Sequence, residues 1–129
     1  MINISPAALE DVSVPALVSG ERPIDLVHLA RMTLGDRSLE REVLQLFDRQ
    51  ATMLMARVRE GSPAVVAAVA HTLKGSARGI GAGRVACAAE AVELASASGG
   101  AAELEAAVDR LGAATDEVRA IITELLRAN

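Results

Sequence analysis

The chain of 129 residues contains no tryptophan and no tyrosine, and Phe47 is its only aromatic residue. A surface that stacks unpaired bases on aromatic rings is therefore excluded. Positive charge is also in short supply. Thirteen Lys and Arg face seventeen Asp and Glu, for a net charge of −4 and a pI near 5.2. Such a surface repels phosphate backbones, so nucleic acid is not expected as a partner. The single cysteine, Cys87, cannot form an internal disulfide, which fits a reducing cytoplasm. His28, His71 and Cys87 are the only His and Cys residues, and none stands at ligand spacing with another, so no metal site is expected. No basic segment followed by an apolar run opens the chain, so no signal peptide is expected. The apolar run Ala64 to Ala70 is far too short to span a bilayer.

What is present is helix. Over half of the residues are apolar, mostly Ala, Leu and Val, enough for one domain with a real core. Residues 1–23 hold Pro6, Pro15, Gly20 and Pro23, and read as a loosely ordered arm. A short helix near residues 24–34 follows. Gly35–Asp36 marks a stop and a new N-cap. The next helix sets Leu39, Val43, Leu46, Phe47, Gln50, Leu54 and Val58 on one face and ends at Gly61. Ser62–Pro63 starts a helix in which Val66, Val69, Ala70, Leu73, Ala77 and Ile80 recur at spacings of three and four. Gly79, Gly81 and Gly83 punctuate its end. A helix over Arg84–Ala97 turns Val85, Ala88, Val92 and Ala95 inward, with Cys87 read as a small core residue. Gly99–Gly100 breaks it, and a last helix carries the seam Leu104, Val108, Leu111, Thr115, Val118, Ile122 and Leu125. The expected fold is all-α: residues 24–129 form an antiparallel four-helix bundle with a short N-terminal capping helix.

Chemistry concentrates in the third of these helices, in the run Ala70-His71-Thr72-Leu73-Lys74-Gly75-Ser76-Ala77. At roughly 100° per residue, Gly75 lies roughly 40° from His71, Arg78 roughly 20° to the other side and Lys74 roughly 60° away. Leu73, Val69 and Ile80 lie opposite, so His71 projects away from the core. Its flanks, Ala64, Ala67 and Ala68, are small. A neutral imidazole nitrogen is a nucleophile near neutral pH. Lys74, one turn on, can neutralise phosphoryl oxygens, and Gly75 lets a partner approach the ring. Between Glu60 and Glu90 there is no acidic residue, whereas Lys74, Arg78 and Arg84 fall inside that stretch. The expectation is a locally positive zone around His71, suited to a phosphoryl group and an acidic partner pocket. Each feature has a plainer reading. A lone surface histidine is more often merely solvated, as are Lys74 and Arg78, and spacing alone leaves the two readings about equally weighted.

The run AHTLKGSARGIGA, residues 70–82, closely resembles the phosphoacceptor motif of histidine-phosphotransfer (HPt) domains, with His, Lys three positions on and Gly at the fourth. Residues 24–61 look like the family's opening helices and the region of Glu93 like its second hairpin helix. The likeness thus covers roughly residues 24–129. It implies that His71 accepts a phosphoryl group on Nε2 from a phospho-aspartate on a receiver domain, or from a hybrid sensor kinase. An aspartate on the receiver of a response regulator then takes it. It also implies a carrier with no ATP binding, no kinase activity and no cofactor of its own, the divalent metal belonging to the receiver. Within the site the resemblance gives His71, Lys74 and Gly75 the central roles. Ser76 and Arg78 support them, and Ala67, Ala68 and Arg84 form the partner surface. In the family a polar residue about 22 positions downstream can orient the ring. Counted from His71 this is Glu93, whose carboxylate would accept from Nδ1–H. Gly79 and Gly83 depart from common family text and are expected to loosen the hairpin turn. Val85 and Val92 stand where a larger Leu is usual. His28 has no matching context and reads as structural or solvated.

Two other readings compete. One is a degenerate HPt-like bundle that binds receivers without phosphotransfer; the intact His-Thr-Leu-Lys-Gly run argues against it. The other is the dimerisation part of a sensor kinase, which usually has an acidic residue after its histidine and a proline soon after. Here Thr72 follows His71 and no proline does, and the chain is expected to be a cytoplasmic monomer. A conventional enzyme is weakest, since no carboxylate pair, catalytic triad or nucleotide loop can be assembled.

Overall fold

The computed structural model describes residues 22–128; all but the last two residues of the expected N-terminal arm lie outside them. Five helices make up the described residues, with no strand among them: α1 (Leu26–Met32), α2 (Arg37–Glu60), α3 (Pro63–Ile80), α4 (Gly83–Ser98) and α5 (Ala101–Ala128). Each link from α2 to α5 is two residues long, which forces neighbouring helices antiparallel. α2 packs on α3, α3 on α4, α4 on α5, and α5 returns to α2 to close the ring. None of these helices is long and apolar enough to cross a membrane.

Local chemistry sets the boundaries. Asp25 caps α1 by accepting from the backbone of Val27 and His28, both at 3.1 Å. Asp36 caps α2 through Leu39 N at 3.1 Å. Pro63 opens α3 at its first turn, although the Ser62 hydroxyl makes no capping bond. α3 ends on Gly81, whose φ of +79° suits a residue without Cβ. Two hydrogen bonds, Gly81 N to Arg78 O at 3.2 Å and Ala82 N to Ala77 O at 2.8 Å, lock this turn. It is a paired cap, with Gly79 inside α3 and Gly83 already in α4. Neither of those two glycines lies in the turn itself, which Gly81 and Ala82 form. Gly81 also anchors the capping helix: its carbonyl accepts from Asp25 N at 2.9 Å. A Cβ at Gly81 would stand 2.9 Å from the Asp25 carbonyl oxygen.

The core follows the predicted stripes of α3 and α5. Val66, Val69, Ala70, Leu73, Ala77 and Ile80 of α3 are buried, as are Leu111, Thr115, Val118 and Ile122 of α5. α4 buries Val85, Ala86, Ala88, Ala89 and Val92. Cys87 is exposed, contrary to expectation, because it falls between the inward residues Ala86 and Ala88 on the side that meets solvent. α2 brings the second correction. Its buried stripe is Leu44, Phe47, Ala51, Leu54, Met55 and Val58, while Leu39 and Leu46 of the predicted face are exposed. α2 carries two apolar stripes about 110° apart, and the expected face had merged them. Charged cross-links join α2 to α5: Arg119 Nε donates to Asp48 at 2.8 Å, and Arg41 donates to the Leu126 carbonyl at 2.9 Å. The second satisfies a carbonyl near the open end of α5.

The two stripes of α2 and the core of α3 predict different costs on truncation. Leu73→Ala removes a fully buried side chain and should lower stability by about 2–5 kcal/mol in urea melts. Leu46→Ala, at a position 58% exposed, should change it by less than about 0.5 kcal/mol.

Candidate functional site

α3 sets His71 by burying its neighbours. Ala70 and Leu73 are sealed in the core and lie roughly 100° and 160° around the helix from His71, so His71 falls on the outward side, and its side chain is 71% exposed. α4 runs antiparallel beside it and brings Glu93 to the ring. His71 Nδ1 lies 2.9 Å from Glu93 Oε2. A carboxylate accepts only, so Nδ1 carries the proton and donates. In the neutral ring the lone pair then sits on Nε2. No hydrogen bond takes up Nε2 among the described residues.

The other carboxylate oxygen is engaged too. Lys74 Nζ lies 2.7 Å from Glu93 Oε1. The Lys74 side chain is only 16% exposed. The sequence reading had turned its ammonium toward phosphoryl oxygens; the structure pairs it with Glu93. The Lys74 ammonium holds the Glu93 carboxyl below its ordinary value of 4.5. The His71 hydrogen bond acts in the same sense, and partial burial opposes both.

The predicted positive zone dissolves in the same way. Every cation of the acid-free stretch meets a carboxylate from α4 or α5: Lys74 with Glu93, Arg78 Nη2 with Glu90 at 3.5 Å, and Arg84 Nη1 with Glu117 at 3.0 Å. Arg84 stands nine residues before Glu93, about 13 Å along the helix axis, and turns to α5. The structure therefore does not bring it together with His71. Arg78 stays exposed one side of the ring, with Ala68 exposed and Ala67 half-buried nearby on α3.

On the opposite flank the surface is open. A Cβ added at Gly75 would meet no atom within 4 Å, so no tertiary contact among the described residues demands glycine there. Beyond Gly75, Ser76 and Gly79 border an apolar groove between α1, α2 and α3, lined also by Met32, Leu39, Val43 and Leu46. Ser76 thus belongs to the groove and makes no contact with the ring. The groove residues of α2 had been assigned to the core; the signal that could have separated them is the surplus of apolar residues on α2, more than one buried face can hold.

An exposed ring held at Nδ1 and free at Nε2, on the hairpin of a four-helix bundle, is the arrangement that the motif implied. The family model for the Hpt domain matches residues 37–127, from the first residue of α2 to the last turn of α5. The chain belongs to the Hpt domain family. No curated protein and no solved structure matches it. The matched span leaves out α1, across which the sequence likeness had been drawn. Hpt domains are phosphocarriers of two-component signalling, and receiver domains are their partners. In this Hpt domain Val85 and Val92 are fully buried in the bundle.

The Lys74–Glu93–His71 contacts carry a pH signature. Because the Glu93 carboxyl lies low in the folded protein, its contribution is fully present above 4.5 and is lost as pH falls below it. In Glu93→Gln that contribution is absent at every pH. Thermal melts should show the wild type more stable than Glu93→Gln near neutral pH, with the gap narrowing as pH falls below 4.5. A gap independent of pH would show that the ionised carboxylate adds nothing.

Proposed function

We propose that this Hpt domain carries a phosphoryl group on His71 Nε2, taking it from the phospho-aspartate of one receiver domain and passing it to the aspartate of another. The observation that carries the reading is the Glu93 hydrogen bond at Nδ1, 2.9 Å long, which leaves the outward nitrogen of an exposed ring as the nucleophile. The family's role in phosphotransfer supports it.

The transfer is a simple displacement. The Nε2 lone pair forms the N–P bond as the P–O bond to the donor aspartate breaks, and that oxygen leaves with the electron pair as a carboxylate. The ring becomes an imidazolium whose Nδ1 proton stays on the hydrogen bond to Glu93. In onward transfer the N–P pair returns to Nε2. Nothing else on this chain has to gain or lose a proton, and neither ATP nor a bound cofactor enters. The divalent metal that the reaction needs belongs, on this reading, to the receiver. The bare Gly75 surface admits the receiver's pocket to the ring. The apolar groove beyond it, with Leu39 and Leu46 on its rim, gives the receiver an apolar footing beside the polar one. The carrier acts as a cytoplasmic monomer.

The first test is phosphoryl transfer from a panel of phosphorylated receivers to the wild type and to His71→Ala. Acid-labile, base-stable label on the wild type alone is the expected result. Failure of every donor to label a folded protein that still binds a receiver would leave a docking module without phosphotransfer. Glu93→Ala should slow labelling by about tenfold, the worth of a partly exposed charge-assisted hydrogen bond.

Gly75 gives a second test with opposite signs on two readouts. Gly75→Ala should raise helix stability by up to about 1 kcal/mol, since its Cβ meets open space. The same methyl should slow transfer from a receiver. Wild-type transfer rates in Gly75→Ala would remove the close-approach role.

A further inference from the structure

Two cations of α3 stand near the exposed histidine, and they are held very differently. Lys74 lies 2.7 Å from Glu93, with its side chain only 16% exposed. Arg78 lies 3.5 Å from Glu90, and both of those side chains are more than half exposed. A long ion pair in contact with water contributes little and is readily exchanged. Arg78 also has an open line to the ring. It starts two turns beyond His71 and only roughly 20° from it around α3. Helical side chains slope toward the N-terminus of their helix, which here is toward His71. The ion pair bears out that slope. His71 and Arg78 start roughly 10.5 Å apart along α3, whereas the carboxylates they meet on α4, Glu93 and Glu90, start only roughly 4.5 Å apart. Between ring and guanidinium lies Gly75, where a Cβ would meet no atom within 4 Å. No side chain at that position bars the way.

We infer that Arg78 is the cation that binds the phosphoryl group of the loaded carrier: with the group on His71 Nε2, the guanidinium leaves Glu90, crosses the bare Gly75 surface and pairs with the phosphoryl oxygens. This rests on the reading of His71 as the phosphoryl carrier and adds to it a group that answers the charge of the loaded state. Charge favours the exchange. A phosphoryl group carries about two negative charges on three acceptor oxygens, where Glu90 carries one on two. The planar guanidinium can meet two phosphoryl oxygens at once. Only an ion pair changes hands, so no covalent bond and no proton is involved. Lys74 stays with Glu93 throughout. Glu90 is thereby a competitor: it holds Arg78 while the carrier is empty and gives it up when the carrier is loaded.

His71 can be loaded with no receiver present by phosphoramidate, a small phosphoryl donor, and the label is assigned by its absence from His71→Ala. In nitrogen-15 spectra of the arginine side chains, the Nε–H signal missing from Arg78→Gln should shift on loading and return as the phosphoryl group is hydrolysed. Loading rates supply the second readout. Arg78→Gln should slow loading by about two- to fivefold, the range of an exposed ion pair. Glu90→Gln frees the guanidinium beforehand and should speed loading by a similar factor. Added to Arg78→Gln, the same Glu90 change should do nothing, because the carboxylate acts only by holding the arginine. Arg78→Lys, a point charge without the fork, should recover part of the rate. Both positions are more than half exposed, so these variants leave the core intact. An Arg78 signal indifferent to loading, or a Glu90→Gln effect that survives the loss of Arg78, would overturn the inference and leave both residues as distant surface charges. The two failures are separable. A chain that loads while Arg78 stays unmoved keeps the relay and loses the inference; a chain that neither phosphoramidate nor any receiver labels sinks both.

Discussion

The site depends on how closely α3 lies against α4. The facing surfaces are built largely from alanine: Ala70 and Ala77 on one helix, Ala86, Ala88 and Ala89 on the other, all buried. Small side chains let the two backbones approach, and valines at 85 and 92 fill what remains. Only at close range can a carboxylate on a two-carbon stem reach from α4 to a ring on α3. The two-residue link through Gly81 and Ala82 sets the register that puts Glu93 level with His71. A looser turn or bulkier packing would leave the same residues on the same helices, too far apart or out of step.

Charge is arranged around that hairpin so that little of it is free. Each cation near the site meets a carboxylate from a neighbouring helix. The positive field that local composition suggests is cancelled across helix boundaries. What stands out to a partner is therefore shape and one exposed nitrogen: a bare glycine surface on one flank of the ring, an apolar groove beyond it, and the ion-paired α4 edge on the other flank. Such a surface offers little long-range electrostatic attraction to an acidic partner.

The capping helix and the groove belong together. α1 is tied down by Asp25, which caps its own helix and donates its backbone N–H to Gly81 at the hairpin turn. One wall of the groove, with Met32, is therefore fixed to the same turn that sets the register of His71 and Glu93. Exposed Leu34, beside it, holds a left-handed φ of 55°, an uncommon conformation for a branched side chain. Apolar groups are thus kept at the surface on the wall of a groove that Ser76 and Gly79, one to two turns beyond His71, also line.

The sequence by itself determined the helices and most of their ends. Periodicity, Asp36, Ser62–Pro63 and the glycines each act within one turn of the chain, and local effects are legible locally. It also determined that His71 faces out, because its buried neighbours Ala70 and Leu73 recur at helical spacing. The motif carried the family, and with it the pairing of His71 and Glu93, which no single-helix rule contains. Tertiary structure decided the rest. It chose which of two apolar stripes on α2 is core, left Cys87 at the surface, and turned Lys74 and Arg84 to carboxylates on other helices. These outcomes depend on which helix lies on which side, and at what distance. A helix wheel gives the direction of a side chain but not the group that waits there.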